Sequence, residues 1–212
     1  AHQRIAASVY TATAGGFTEI NEEVWNAEPS PYLRGGPDAP KARVPKAFRD
    51  GIDSSEVRDF LNSDFRAWST RSPIGATDLY RWSEDVSAQV PLSWLDEHGH
   101  SLEAITDVEV LERGTSGRIV RLEVQGRDDA STVVERELNV RRLFGGLKSG
   151  LFVMDVTRRE DGTVEQLQFE GAGYGHGVGM CQTGAMGMAD AGKGHRTILK
   201  HYYDGSDIET LY

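Results

Sequence analysis

The stretch Ile105-Thr106-Asp107-Val108-Glu109-Val110-Leu111-Glu112-Arg113-Gly114-Thr115-Ser116-Gly117-Arg118-Ile119-Val120-Arg121-Leu122-Glu123-Val124-Gln125 decides the fold class. β-Branched residues alternate with charged ones on either side of Gly-Thr-Ser-Gly, which reads as strands at 105–113 and 118–125 joined by a hairpin turn at 114–117. Residues 132–140 read as a third strand. Downstream, 147–157 and 163–171 form a further pair around a Glu160-Asp161-Gly162 turn. Upstream, 79–90 alternates as a strand does, and 91–98 reads as a helix with Leu92 and Leu95 inward. Consecutive hairpins of this kind predict antiparallel sheet. Short helices are expected at 19–25 and at 53–65, where Val57, Phe60 and Leu61 share a face. Between them Pro29, Pro31, Pro37, Pro40 and Pro45 break 28–46 into a long loop, with Tyr32 and Leu33 as its anchors. The fold class expected is α+β, mostly antiparallel sheet with a few short helices.

Composition narrows the function classes. The chain has 212 residues, enough to bury a core, with 38% hydrophobic and 26% charged residues. No run approaches the roughly 18 apolar residues of a membrane span. The net charge of −10 has the wrong sign for a protein that neutralises phosphates, so nucleic acid is not an expected partner. The one cysteine, Cys181, forms no internal disulfide and does not tell a reducing from an oxidising compartment. The opening Ala1-His2-Gln3-Arg4-Ile5 lacks the pattern of a secretory leader, and 5–10 reads as a strand inside a domain, as in an excerpt or a mature chain.

The segment Gly171-Ala172-Gly173-Tyr174-Gly175-His176-Gly177-Val178-Gly179-Met180 places glycine at every second position, the period of a strand. Read as one strand, it has a bare face open to close approach and an opposite face that lines up Ala172, Tyr174, His176, Val178 and Met180. Five glycines cost roughly 0.5–1 kcal/mol each on ordering, which argues for a functional or close-packing role over a flexible linker. A helix rich in small residues follows at 181–191, stopped by Gly192, then a second at 196–203 and a closing strand at 207–212. Between 171 and 203, Asp190 faces Lys193, Arg196 and Lys200, a small local excess of positive charge.

The run Gly-Tyr-Gly-His-Gly-Val-Gly-Met-Cys-Gln-Thr-Gly-Ala at 173–185, with Met188-Ala189, Gly192, Ile198-Leu199 and His201-Tyr202-Tyr203-Asp204-Gly205, closely resembles the C-terminal signature of the SpoIID/LytB family. Ala14-Gly15-Gly16-Phe17-Thr18-Glu19, Val24-Trp25, Pro31-Tyr32-Leu33 and Leu147-Lys148-Ser149 resemble further elements of it, so the likeness spans most of the chain. The resemblance implies residues 1–212 as a single domain of that kind, with 79–157 a candidate subdomain. It implies a cell-envelope or extracellular protein acting on peptidoglycan glycan strands: a lytic transglycosylase that cleaves between N-acetylmuramic acid and N-acetylglucosamine on strands lacking stem peptides. The alternative it leaves open is a non-catalytic module that binds glycan and stimulates a cell-wall amidase.

Transglycosylation needs a carboxylic acid to protonate the glycosidic oxygen, after which the muramyl 6-hydroxyl closes on the anomeric carbon to give a 1,6-anhydro end. The family's catalytic glutamate lies in a helical Pro-Glu-Ala-Leu-Lys-Ala-Gln-Ala-Val-like stretch upstream of the Gly-Gly-Thr element, and nothing here matches it; the chain reads as starting after that stretch. Zinc-binding members use a segment this chain lacks, so neither metal nor other cofactor is expected. Cys181 stands where serine is common in the family.

Within these residues His176 is the candidate catalytic residue, as an orienter of substrate or acid. Tyr174 and Gln182 are candidates for sugar rings and acetamido groups, with Cys181, Thr18 and Glu19 lining the same cleft. Glu19, Glu22 and Glu23 are the nearest in-chain surrogates for the acid, although acidic residues early in a helix usually serve its dipole. Tyr202 and Tyr203 read as core. Cys181, five residues after His176, admits a cysteine-hydrolase reading, which predicts inactivation by a thiol alkylator.

Overall fold

The structure, a computed structural model, describes residues 5–25, 27–72 and 77–209. Along the chain come β1 (Tyr10–Thr11), β2 (Phe17–Thr18), α1 (Asn21–Trp25), β3 (Gly36–Pro37), α2 (Val57–Asn62), α3 (Thr77–Tyr80), β4 (Trp82–Ser87), α4 (Gln89–Glu97), β5 (Ile105–Arg113), β6 (Ile119–Gly126), β7 (Ser131–Glu135), α5 (Glu137–Leu143), β8 (Phe152–Arg158), β9 (Val164–Gly171), β10 (Met180–Cys181), α6 (Gln182–Asp190) and α7 (His195–Tyr202). Single 3-10 turns punctuate the proline-rich loop and precede α2. No described helix is long and apolar enough to cross a membrane.

The α+β class with antiparallel sheet holds. One three-stranded sheet has the order β5-β6-β7, the other β4-β9-β8, and every pairing in both is antiparallel. In the first, Val108 faces Val124 and Val110 faces Leu122, so alternate residues of the opening stretch share the inner face. The turn between β5 and β6 closes through Gly117 N donating to Gly114 O at 2.9 Å, with Gly117 at φ 80°. Leu122, Leu143, Phe144, Phe152, Leu167 and Phe169 form the core between these sheets and helices α4 and α5.

Several local expectations change. The strand expected at 132–140 ends at Glu135, Arg136 reverses the chain at φ 76°, and α5 begins. Glu137, Val140 and Leu143 then recur at helical rather than strand spacing, all buried. The strand expected from 5 shrinks to β1, which pairs in parallel with β10. The helix expected at 53–65 is the shorter α2, and residues 79–90 divide among the end of α3, β4 and the start of α4. The closing strand is absent over 207–209, and its last three residues lie outside the described ones.

The glycine-rich segment is the main departure. It is strand only at its two ends, in β9 and β10, with single bridges from Tyr174 to Thr13 and from Val178 to Glu19 between them. Gly173, Gly175, Gly177 and Gly179 take φ of 84°, 105°, 81° and 74°. The period of two therefore comes from every second residue turning left-handed, where a side chain is strained, and not from a pleat. The two expected helices follow as α6 and α7. Ala172 joins a second core with Phe17, Phe48, Phe60 and Leu151, while Val178 joins a third with Ala14, Trp68, Met188 and Tyr202. The loop is thus clamped by apolar contacts at both ends.

Candidate functional site

Backbone hydrogen bonds stitch this loop to the N-terminal segment. Tyr174 N donates to Thr13 O at 2.8 Å, Glu19 N to Gly177 O at 2.9 Å, and Met180 N to Val9 O at 3.0 Å. The Thr11 hydroxyl donates to Tyr174 O at 3.1 Å and accepts from Gly177 N at 3.3 Å. Gly175 N donates to Lys148 O at 2.8 Å. The Gly15-Gly16 turn, the Leu147-Lys148-Ser149 step and the glycine loop, far apart in sequence, therefore meet at one place.

What this frame exposes is aromatic. Tyr174 is 45% exposed and Trp25, at the end of α1, is 42% exposed. The Trp25 and His176 rings lie 5.0 Å apart with planes inclined by 56°. The His176 Nδ1 accepts from Val178 N at 3.0 Å, which leaves its proton on Nε2, and the ring also hydrogen-bonds the Tyr10 main chain. Burial, with Arg118 and then Arg141 nearby, pulls the His176 pKa down to about 4 against the opposing Tyr10 bond. The ring is therefore neutral at physiological pH, with Nδ1 committed to the main chain and the ring tilted against an indole. Gln182, the first residue of α6, is exposed.

The other expected wall residues point inward. Thr18 is buried and donates to Gly36 O at 3.0 Å, across the β2–β3 pair. Cys181 is the N-cap of α6, its sulfur accepting from Gly184 N and Ala14 N, each at 3.2 Å. Burial first, then Asp38, pushes its thiol pKa up to about 12. No thiolate forms at neutral pH and the imidazole is engaged elsewhere, so the arrangement lacks the activated pair of a cysteine hydrolase.

Glu19 is 0% exposed. Its carboxylate accepts from Ile20 N at 2.9 Å and, through the other oxygen, from the Ser116 main chain at 3.1 Å and hydroxyl at 2.6 Å. Arg118, also 0% exposed, donates to the Ser116 hydroxyl at 2.7 Å, to Phe17 O at 3.1 Å and to Ala14 O at 2.9 Å. Burial raises the Glu19 pKa, with Ser116 and Arg118 opposing. A Cβ on Gly114 would overlap the Glu19 carboxylate, and one on Gly177 would overlap the Arg118 guanidinium. Both glycines are there for close approach to this buried pair.

Of the remaining surrogate acids, Glu22 pairs with Arg34 at 2.6 Å. Glu23 lies at a cleft of about 580 Å³ lined also by Asp50, Asp53, Arg113 and the Gly114-Thr115 turn. Its pKa is raised by partial burial, then by Glu112 and Glu22. Tyr202 is core as expected, its hydroxyl donating to buried Asp38 at 2.6 Å.

Sequence reasoning missed the site roles of Trp25, Ser116 and Arg118. Trp25 had a signal, a large aromatic ending a short acidic helix. Arg118 had none, because a cation after a hairpin glycine reads as a solvated strand residue.

A family model described as a domain of unknown function (DUF8618) matches residues 19–179, and the chain belongs to that family. The chain is 24% identical over 95% of its length to the amidase enhancer of Bacillus subtilis, covering 29% of that protein. It is 37% identical over 41% of its length to the stage II sporulation protein D of Bacillus amyloliquefaciens, covering 25% of that protein. Over 18% of its length it is 63% identical to an uncharacterized protein of Brachyspira hyodysenteriae, covering 10% of it. The chain thus spans between a tenth and three tenths of the curated relatives it matches.

Proposed function

We propose that this chain is a SpoIID/LytB-like, cell-wall-directed domain that holds peptidoglycan glycan strands in a protein of the lytic transglycosylase type, outside the cytoplasm. The observation that carries this reading is the Trp25–His176 pair, with exposed Tyr174 two residues from His176 on the same hydrogen-bonded loop. Uncharged aromatic faces suit sugar rings, and the exposed amide of Gln182 suits acetamido groups. In this reading His176 orients the ring platform and is not the proton donor. Glu19 is enclosed by Ser116 and Arg118 and does not serve as the acid in this reading, in which, as the family resemblance implies, the acid comes from outside these residues.

Incubation of the chain with glycan strands stripped of peptides tests this division of labour. Binding without new 1,6-anhydromuramyl ends by mass spectrometry is expected, and anhydro ends made by the chain alone would place an acid within it. The likeness to an amidase enhancer along nearly the whole chain favours a second reading, a module that stimulates a cell-wall amidase. That reading expects the chain to raise the rate of such an amidase on intact walls without making anhydro ends.

A further inference from the structure

We propose that Arg118 is the positioning residue of this site, acting through Gly177 and the Ala14–Phe17 turn to set the place of the His176 ring against Trp25. The inference rests on the reading of the Trp25–His176 pair as a platform, and its grounds are geometric. Arg118 leaves β5–β6 at the hairpin and crosses the interior to bond the carbonyls of Ala14 and Phe17, which flank the Gly15-Gly16 turn. Its guanidinium lies directly under Gly177, the neighbour of His176, where no side chain fits. Glu19 completes the arrangement from the other side, its main chain holding Gly177 and its carboxylate reaching Arg118 through Ser116. One buried cation thus bonds the hairpin to the Gly15-Gly16 turn and lies against Gly177, the neighbour of the residue that carries the imidazole.

Such a strut would matter to a glycan site in two ways. It fixes a loop that five glycines would otherwise leave free, and its charge disfavours protonation of the ring above it. The groups that bear on His176 are Arg118, Arg141 of α5 and the Tyr10 main chain. Arg141 is paired with Glu137 at 3.6 Å, while Arg118 is offset by Glu19.

The test is an NMR titration of the His176 ring, read together with the displacement of its proton signals by the Trp25 indole, in four proteins: wild type, Arg118→Gln, Arg118→Lys and Glu19→Gln. Loss of the cation in Arg118→Gln should raise the proton affinity of His176 about tenfold or more and diminish the indole's effect on its signals. Arg118→Lys keeps the charge without the three-way bonding, so the proton affinity stays low while the indole's effect falls. Glu19, its pKa raised by burial, is already largely protonated where His176 titrates, so Glu19→Gln should leave the proton affinity unchanged. A purely structural role would loosen the loop in both Gln variants and raise the affinity in both. That result, or a folded Arg118→Gln protein with an unchanged titration, overturns the proposal. Should Arg118→Gln not fold, Arg118→Lys still decides it, because an indole effect on the His176 signals equal to that of the wild type overturns the proposal. The titration contains no glycan, so absence of glycan binding with these shifts present would refute the platform reading and leave the positioning role standing.

Discussion

The indole of Trp25 and the imidazole of His176 sit 5.0 Å apart across a gap of about 150 residues of sequence, one on the helix after the Gly-Gly turn and the other on the glycine loop. The contact joins the two signature regions of the chain at the surface, while the Glu19–Ser116–Arg118 network joins them beneath it. An apolar, uncharged face is thereby supported by a buried charged layer. The functional reading follows from that layering.

Tyr174 and Gln182 are exposed, so their loss should leave stability almost untouched and weaken ligand retention. Tyr174→Ala and Gln182→Ala should each change unfolding free energy by less than about 0.5 kcal/mol. Retention on immobilised peptide-free glycan should fall several-fold in each. Urea melts alongside a column assay separate the two effects.

Glu19 is a structural group. Glu19→Ala leaves the Arg118 charge buried without its partner and should cost about 3–5 kcal/mol. Glu19→Gln keeps the shape and the bond from Ile20 N and should cost less. Denaturant unfolding of the two variants checks the order.

The pH dependence of stability has a component with a definite sign. The folded His176 pKa of about 4 lies below the ordinary value of 6.5, so the folded state binds fewer protons between them. Stability from this residue is full above about 6.5 and is lost as pH falls toward 4, in all about 3 kcal/mol. Glu19 and Glu137, both raised by burial, act in the opposite sense, losing stability as pH rises from 4.5 through their folded pKa values. His176→Asn should therefore remove the acid-side loss and leave the opposing trend. Unfolding free energies at several pH values, wild type against variant, give the comparison.

Cys181 should behave as a cap and not as a nucleophile. Its thiol should resist iodoacetamide in the folded protein at pH 8 and react on unfolding, because burial holds its pKa near about 12. Cys181→Ser retains an acceptor for Gly184 N and Ala14 N, whereas Cys181→Ala should cost about 1–2 kcal/mol. Mass spectrometry of labelling and thermal melts test both statements.

Fold class was legible because the 105–125 hairpin advertises itself: alternation on both strands, and a turn whose Gly117 needs positive φ. The α5 helix was hidden because Val133, Val134 and Val140 extend a strand-like composition past Arg136, whose reversal no local residue announces. The glycine loop misled for a related reason. A left-handed residue at every second position and a pleated strand share a period of two, and only the partners at Thr13 and Glu19 distinguish them. Among site residues Tyr174 and Gln182 are exposed, since a polar or aromatic residue beside glycine leaves little to cover it. Glu19 reads as a cleft residue in the sequence because its burial depends on Arg118, a residue 99 positions away supplied by another sheet.

Calorimetric titration of the chain with peptide-free glycan strands, wild type against Trp25→Ala, tests the central claim most directly. The account predicts measurable binding by the wild type, weakened about tenfold by the variant, consistent with the loss of an aromatic contact worth about 1.4 kcal/mol. Absence of binding by the folded wild type, or equal binding by both proteins, would contradict it.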